Sequence, residues 1–240
     1  MRRALQTASR ARRRALHSAS GPHHLFLDCD DCLYSNEWRT ADKISESISA
    51  TALRMTGVGA SHAHALYTAH GTTLKGLLAE GHLRDAADIE HFLTAAHDID
   101  LSCIEPDAAL AAVLARLQVP TWVFTASIAE HAERCMDRLG LVGAFSPLGI
   151  IDTRGCGFET KHSAASFEAA MAIAGVTEPS SCTLCDDSEK NIAAAKAAGW
   201  RGVLVGGTDR RGQPIYCPEA DFVVPTLHAL PDVLPELFAR

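Results

Sequence analysis

Short apolar runs alternate with amphipathic segments that stop at glycine. No other feature narrows the possible folds of this chain as much. HHLFLDCDD (23–31), TWVFTA (121–126), LGIIDT (148–153), SCTLCDD (181–187), GVLVG (202–206) and DFVV (221–224) are apolar runs of strand length. Between them lie Ile128 to Leu139, Ser163 to Ala174 and Glu189 to Ala198, followed by Gly140, Gly175 and Gly199. A glycine just past the last periodic residue is the expected helix stop. Strands that alternate with helices of this length pair in parallel, because each crossover helix returns the chain to the same end of the sheet. The expectation is an α/β fold with a Rossmann-like parallel sheet.

Residues 35–117 break the rhythm. They hold no convincing strand and read as helices over Thr40 to Met55, Ser61 to Glu80, Ala86 to Ala96 and Asp107 to Leu117. Such a block reads as an inserted α-helical cap, leaving 23–34 plus 118–240 as the core. Residues 1–22 stand apart. Six arginines fall in the first 14 residues and no acid precedes Asp28. An Arg- and Ser-rich, acid-free start reads as a mitochondrial or plastid transit peptide. The plainer alternative is a disordered basic tail on a cytoplasmic protein. The formal charge is −7, and −13 without those six arginines. So acidic a body argues against a nucleic-acid polymer as partner. No apolar run approaches the roughly 18 residues of a membrane span, so no membrane partner is expected either. The eight scattered cysteines suit reduced thiols better than a disulfide framework. Oligomeric state leaves no trace in the sequence.

In open parallel sheets, ligands bind beyond the carboxyl ends of the strands. The first strand ends in Asp28-Cys29-Asp30, the second in Thr125-Ala126-Ser127, and the fourth in Asp186-Asp187-Ser188, while Lys161 follows the third. Four carboxylates on one rim repel, and an oxygen-only set suits Mg²⁺ better than zinc. This set fits phosphoryl transfer. One carboxylate can attack phosphorus, and another two residues on can protonate the leaving oxygen and then deprotonate water. Thr125, with the backbone N–H groups beside it at Ala126, can bind phosphoryl oxygens, and Lys161 can offset their charge.

At this point the motifs resemble those of a known family. DCDDCLY is similar to D-x-D-x-T/V-L, the first motif of the haloacid dehalogenase-like hydrolase superfamily, and VFTAS, Lys161 and CDDSEKNIAAAKAAGW resemble the other three. In the helical block, HGTTLKGLL and HDIDLSCIEPDAAL resemble segments of the pyrimidine 5′-nucleotidase-like family. The resemblance implies Asp28 as nucleophile and Mg²⁺ ligand, and Asp30 as general acid/base with its carbonyl on the metal. It further implies Asp186 and Asp187 as metal ligands, and Thr125, Ala126 and Lys161 as phosphate-binding. About 90 residues separate the first two motifs, against 25 from Lys161 to Asp186, which puts the insert at the first cap position. The implied function is hydrolysis of a small phosphate, a pyrimidine nucleoside 5′-monophosphate first. Sugar, lipid or cofactor phosphates are alternatives, as is a non-catalytic regulatory protein. Haloacid dehalogenases lack the second acid, so Asp30 favours a phosphatase. Two departures stand out. Cys32 replaces the usual threonine, and Ala126 stands where asparagine is more common.

The C-x-x-C pairs, Cys29/Cys32 and Cys182/Cys185, lie about 150 residues apart on buried strands. That is too far apart for the familiar zinc spacing, and inert thiols are the plainer reading. Asp31 reads as incidental, Trp38 as hinge packing and the cap histidines as solvated; base stacking by Trp38 and a substrate-anion contact by Lys75 are the sharper alternatives.

Overall fold

The computed structural model describes residues 23–239; the arginine-rich segment read as a transit peptide lies outside them. Six parallel strands form one sheet: β1 His24–Leu27, β2 Thr121–Phe124, β3 Ile150–Ile151, β4 Cys182–Asp186, β5 Arg201–Val205 and β6 Phe222–Val224. Their order is β3-β2-β1-β4-β5-β6. The winding reverses between β1 and β4, paired Leu27 opposite Cys185. A crevice at the strands' carboxyl ends opens at such a reversal.

Side chains alternate across the strands. Leu25 and Leu27 face one core with Val123, Cys185 and Val203, while Phe26 faces the other with Phe124, Leu184 and Trp200. On the second face Trp200 lies 4.5 Å from Phe26 and 5.1 Å from Phe167, ring centre to ring centre.

Helices α1 Arg39–Thr56, α2 Ala60–His70, α3 Thr73–Ala79 and α4 Ala86–His97 form the cap. They share a core of their own around Ala52, Leu66, Leu77, Phe92 and Leu93, joined by Ile128 from the sheet domain. The helix expected from Ser61 to Glu80 is two helices, because Gly71 turns left-handed (φ 83°) and caps the first. The fifth helix, α5 Ala108–Leu114, lies at the end of the segment expected as cap, 35–117. Leu110 and Leu114 pack with Leu25 and Leu27 under the sheet, so α5 belongs to the core layer. With α6 Ala129–Arg138 it covers one face; α7 Ala164–Ala174 and α8 Glu189–Ala197 cover the other. A one-turn α9, Leu230–Val233, closes the first face. No helix among the described residues is long and apolar enough to cross a membrane.

Ion pairs join cap to core. The Arg154 guanidinium grips both oxygens of Glu90 on α4 and also reaches Glu130 and Asp152. Lys75 Nζ on α3 lies 3.0 Å from both oxygens of Glu159. Lys75 therefore bridges the two layers.

Inside the cap, α2 and α3 meet at Gly76, where an added Cβ would lie 2.4 Å from Leu66 Cβ. Gly76→Ala should therefore destabilise the protein by about 1–3 kcal/mol in urea unfolding, despite alanine's helix preference of about 1 kcal/mol. A neutral or stabilising result would mean that the two helices can part at no cost.

Candidate functional site

The four strand ends converge as the alternation requires. Asp28 leaves β1 with its N–H bonded to Cys185 O of β4 at 2.9 Å, so the ends of the two central strands are stitched together. Thr125 follows β2 with its N–H on Ile151 O of β3. Its hydroxyl accepts the Ser127 N–H at 3.0 Å, which turns the chain and leaves Ala126 exposed on the cleft wall.

Lys161 ties the floor together. Its ammonium donates to Asp28 Oδ1 and, at 2.8 Å, to Asp186 Oδ2, and it sits 5.1 Å from the centre of the Phe124 ring. All three charged groups are buried. The other Asp186 oxygen accepts N–H groups from Ser188 (3.0 Å) and the Asn191 amide (2.8 Å). Asp187, half-buried, lines the cleft. Asp28, Asp186 and Asp187 can each bring an oxygen within 4.8 Å of the others. Burial pushes the Asp28 pKa up to about 7 against the pull of Lys161, and burial with the neighbouring Asp186 pushes Asp187 to about 9. One ammonium does not neutralise three carboxylates. An oxygen-only set with surplus negative charge fits a hard divalent cation.

Asp30 turns the other way. Its Oδ1 accepts from the Tyr34 hydroxyl at 2.6 Å and from His131 Nε2 at 2.8 Å, and its Oδ2 from the Ser127 hydroxyl at 2.9 Å. Burial alone would raise its pKa. The hydrogen bonds and the charge of His131 hold it at about 2 instead. Burial likewise opposes the His131 cation, yet Asp30 and Cys135 lift that pKa to about 10. Asp30 and His131 form an ion pair.

The expected site residues thus come together: Asp28, Asp30, Thr125, Ala126, Lys161 and Asp187 line one cleft of about 680 Å³, with Asp186 bonded beneath it. Cap residues Ile44, Ile48, Phe92 and Leu93 supply its apolar wall. The sequence reading missed His131 and Tyr34. The signal was faint: a histidine six residues past Thr125, in the first turn of a helix at a strand's carboxyl end. Asp31 proves buried and left-handed (φ 53°), and it too lines the cleft. Trp38 is also left-handed, and the Arg210 guanidinium lies 5.4 Å from its ring centre. All eight cysteines are free. Cys32 Sγ donates to Cys185 O, while Cys29 groups with Cys135 and Asp30.

Removing Lys161 leaves buried carboxylates without their counter-charge, a loss of about 3–5 kcal/mol. In chelator-treated protein, Lys161→Met should lower urea stability by that order at pH 8. Carboxylates whose folded pKa is raised penalise folding in full above that pKa, and the penalty shrinks as pH falls below it toward the unfolded pKa. The deficit should therefore shrink toward pH 5.5; a deficit that grows on acidification would contradict the charge assignment.

Residues 23–199 match the family model of haloacid dehalogenase-like hydrolases. Phosphate metabolism protein 8 of Saccharomyces cerevisiae is 24% identical over 196 residues, which cover 75% of this chain and 60% of that protein's length. Among solved structures, CbbY from Rhodobacter sphaeroides in complex with phosphate aligns with a TM-score of 0.58 at 17% identity, covering 88% of this chain and 96% of that one. L-2-haloacid dehalogenase from Xanthobacter autotrophicus aligns with 0.56 at 17% identity, covering 90% and 99%. At such identities the two structures establish the shared fold alone. The family-model match spans most of the chain, and with the four strand ends in place the protein belongs to the haloacid dehalogenase-like hydrolases.

Proposed function

We propose that this hydrolase is a Mg²⁺-dependent phosphomonoesterase acting through an aspartyl-phosphate on Asp28. The observation that carries the reading is Asp30. A second carboxylate, two residues from the first, is held at the cleft by three donors. A halide leaves without a proton, whereas an alkoxide needs one. The yeast relative named for phosphate metabolism and the phosphate complex of CbbY point the same way.

In this mechanism Asp28 attacks phosphorus and the ester oxygen departs on the opposite side. Thr125 and the N–H groups near Ala126 receive the equatorial oxygens, and Lys161 keeps Asp28 aligned while balancing charge. Asp30 gives the leaving oxygen its proton, then takes one from the water that cleaves the acyl phosphate. Its resting ionised state suits the second step as it stands. In the first, it takes up a proton from solvent when the arriving phosphate, a new negative charge beside it, raises its affinity for one. Asp28, Asp186 and Asp187, with the Asp30 carbonyl, would hold Mg²⁺, which when bound offsets charge on the transferring phosphate.

The apolar cap wall suits an organic alcohol portion over a free inorganic anion. Pyrimidine nucleoside 5′-monophosphates are the first candidates, because HGTTLKGLL carries the family resemblance and its Gly71, Thr72, Thr73 and Leu74 line the cleft.

Purified protein should hydrolyse p-nitrophenyl phosphate with Mg²⁺ and lose that activity on chelation, with recovery on adding Mg²⁺ back. Asp28→Asn should fall to background. Asp30→Asn should lower kcat for an alkyl phosphate by on the order of 10²–10⁴-fold. Turnover of 2-chloropropionate in place of phosphate esters would overturn the phosphatase reading. In a panel of nucleotides and sugar, lipid and cofactor phosphates, UMP and CMP should rank first by kcat/KM. Any other ranking removes the nucleotidase label and leaves the phosphatase standing.

A further inference from the structure

His131 has no route to a substrate. Its side chain is fully buried behind Asp30, whose own side chain is 19% exposed and lines the cleft. Nε2 nonetheless points at the Asp30 carboxylate, 2.8 Å from Oδ1. Cys135 Sγ, one helical turn on, shares Nε2 at the longer distance of 3.4 Å, and the His97 ring of the cap lies 5.5 Å away, centre to centre. Its Nδ1 is buried without a hydrogen-bond partner among the described residues. A ring oriented only for packing would not leave one nitrogen unpaired in order to aim the other at a carboxylate, since an unmade buried hydrogen bond costs about 1–3 kcal/mol.

Asp30 needs such a hold. A carboxylate on a short stem rotates freely, and a general acid works only within hydrogen-bond reach of the oxygen it protonates. Tyr34 and Ser127 donate from the two flanking loops and His131 from below, so three donors on separate elements set both torsions of Asp30. Of the three, His131 alone comes from a regular helix packed into the sheet's core, where α6 is anchored by Ala132 and Met136.

The geometry points to His131 as the positioning residue of Asp30, governing protonation of the leaving group from behind the carboxylate. This rests on the phosphatase reading and adds one thing to it. The contribution of His131 scales with how much the departing oxygen needs a proton. An alkoxide, such as the 5′ oxygen of a nucleoside, leaves only when protonated. A p-nitrophenolate leaves without help. The parameter kcat/KM reports steps up to leaving-group release, so the later water-activating role of Asp30 does not enter.

The test compares kcat/KM of wild type and His131→Ala on p-nitrophenyl phosphate and on a simple alkyl phosphate, with Mg²⁺. The alkyl value should fall on the order of 10²-fold, and the aryl value by less than about fivefold. His131→Gln, which keeps an N–H at similar reach, should recover most of the alkyl loss. Should the alanine variant fail to fold, His131→Asn, whose amide is too short for Oδ1, takes its place against His131→Gln. Equal losses on both esters would mean that His131 only supports the fold, and no loss on the alkyl ester would mean that Asp30 is held without it; either overturns the inference. Wild-type inactivity on both esters would instead remove the phosphatase reading, and this inference with it.

Discussion

An ammonium group lodged between two buried carboxylates allows the carboxyl ends of β1 and β4 to lie side by side. Without Lys161, Asp28 and Asp186 would repel across neighbouring strands in a buried region. With it, the two central strands can end in acids at the point where the sheet reverses its winding. Everything else at the site is arranged around this charge pattern. Thr125 arrives from the strand on one side of β1, Asp187 extends β4 by one residue, and the cap closes the space above. The site keeps more negative than positive charge, and that surplus separates a place to hold a cation from an ordinary ion-pair network.

The sheet was legible because its signals are local. LFL, TWVF and CTLC are apolar, short and bounded, and each becomes a strand. The acids after them were legible for the same reason: a residue that follows a parallel strand must emerge at the sheet's carboxyl edge. β3 survives as two residues only, since it is an edge strand with a single neighbour. Other features depended on contacts that periodicity does not encode. Nothing in the pattern of α5 says whether Leu110 faces cap or sheet. The break at Gly71 was hidden because the polar and apolar rhythm runs straight through it. His131 was hidden because its partner, Asp30, is 101 residues away.

Cys32 shows how a departure from a family pattern can be absorbed. Where a threonine would offer a hydroxyl, the thiol donates to Cys185 O, a weaker bond of the same sense that still tethers the loop after β1 to β4. Asp30 is held by Tyr34, His131 and Ser127 and does not lean on that position. The loop therefore has two independent moorings, one for the backbone and one for the second carboxylate.

The Arg154 cluster has a mechanical consequence. One guanidinium serves Glu90 from the cap, and Glu130 and Asp152 from the core. If Glu90 swings away, the arginine stays paired, and the glutamate, already half in solvent, is received by water. Parting the layers at this seam strands no charge on either side.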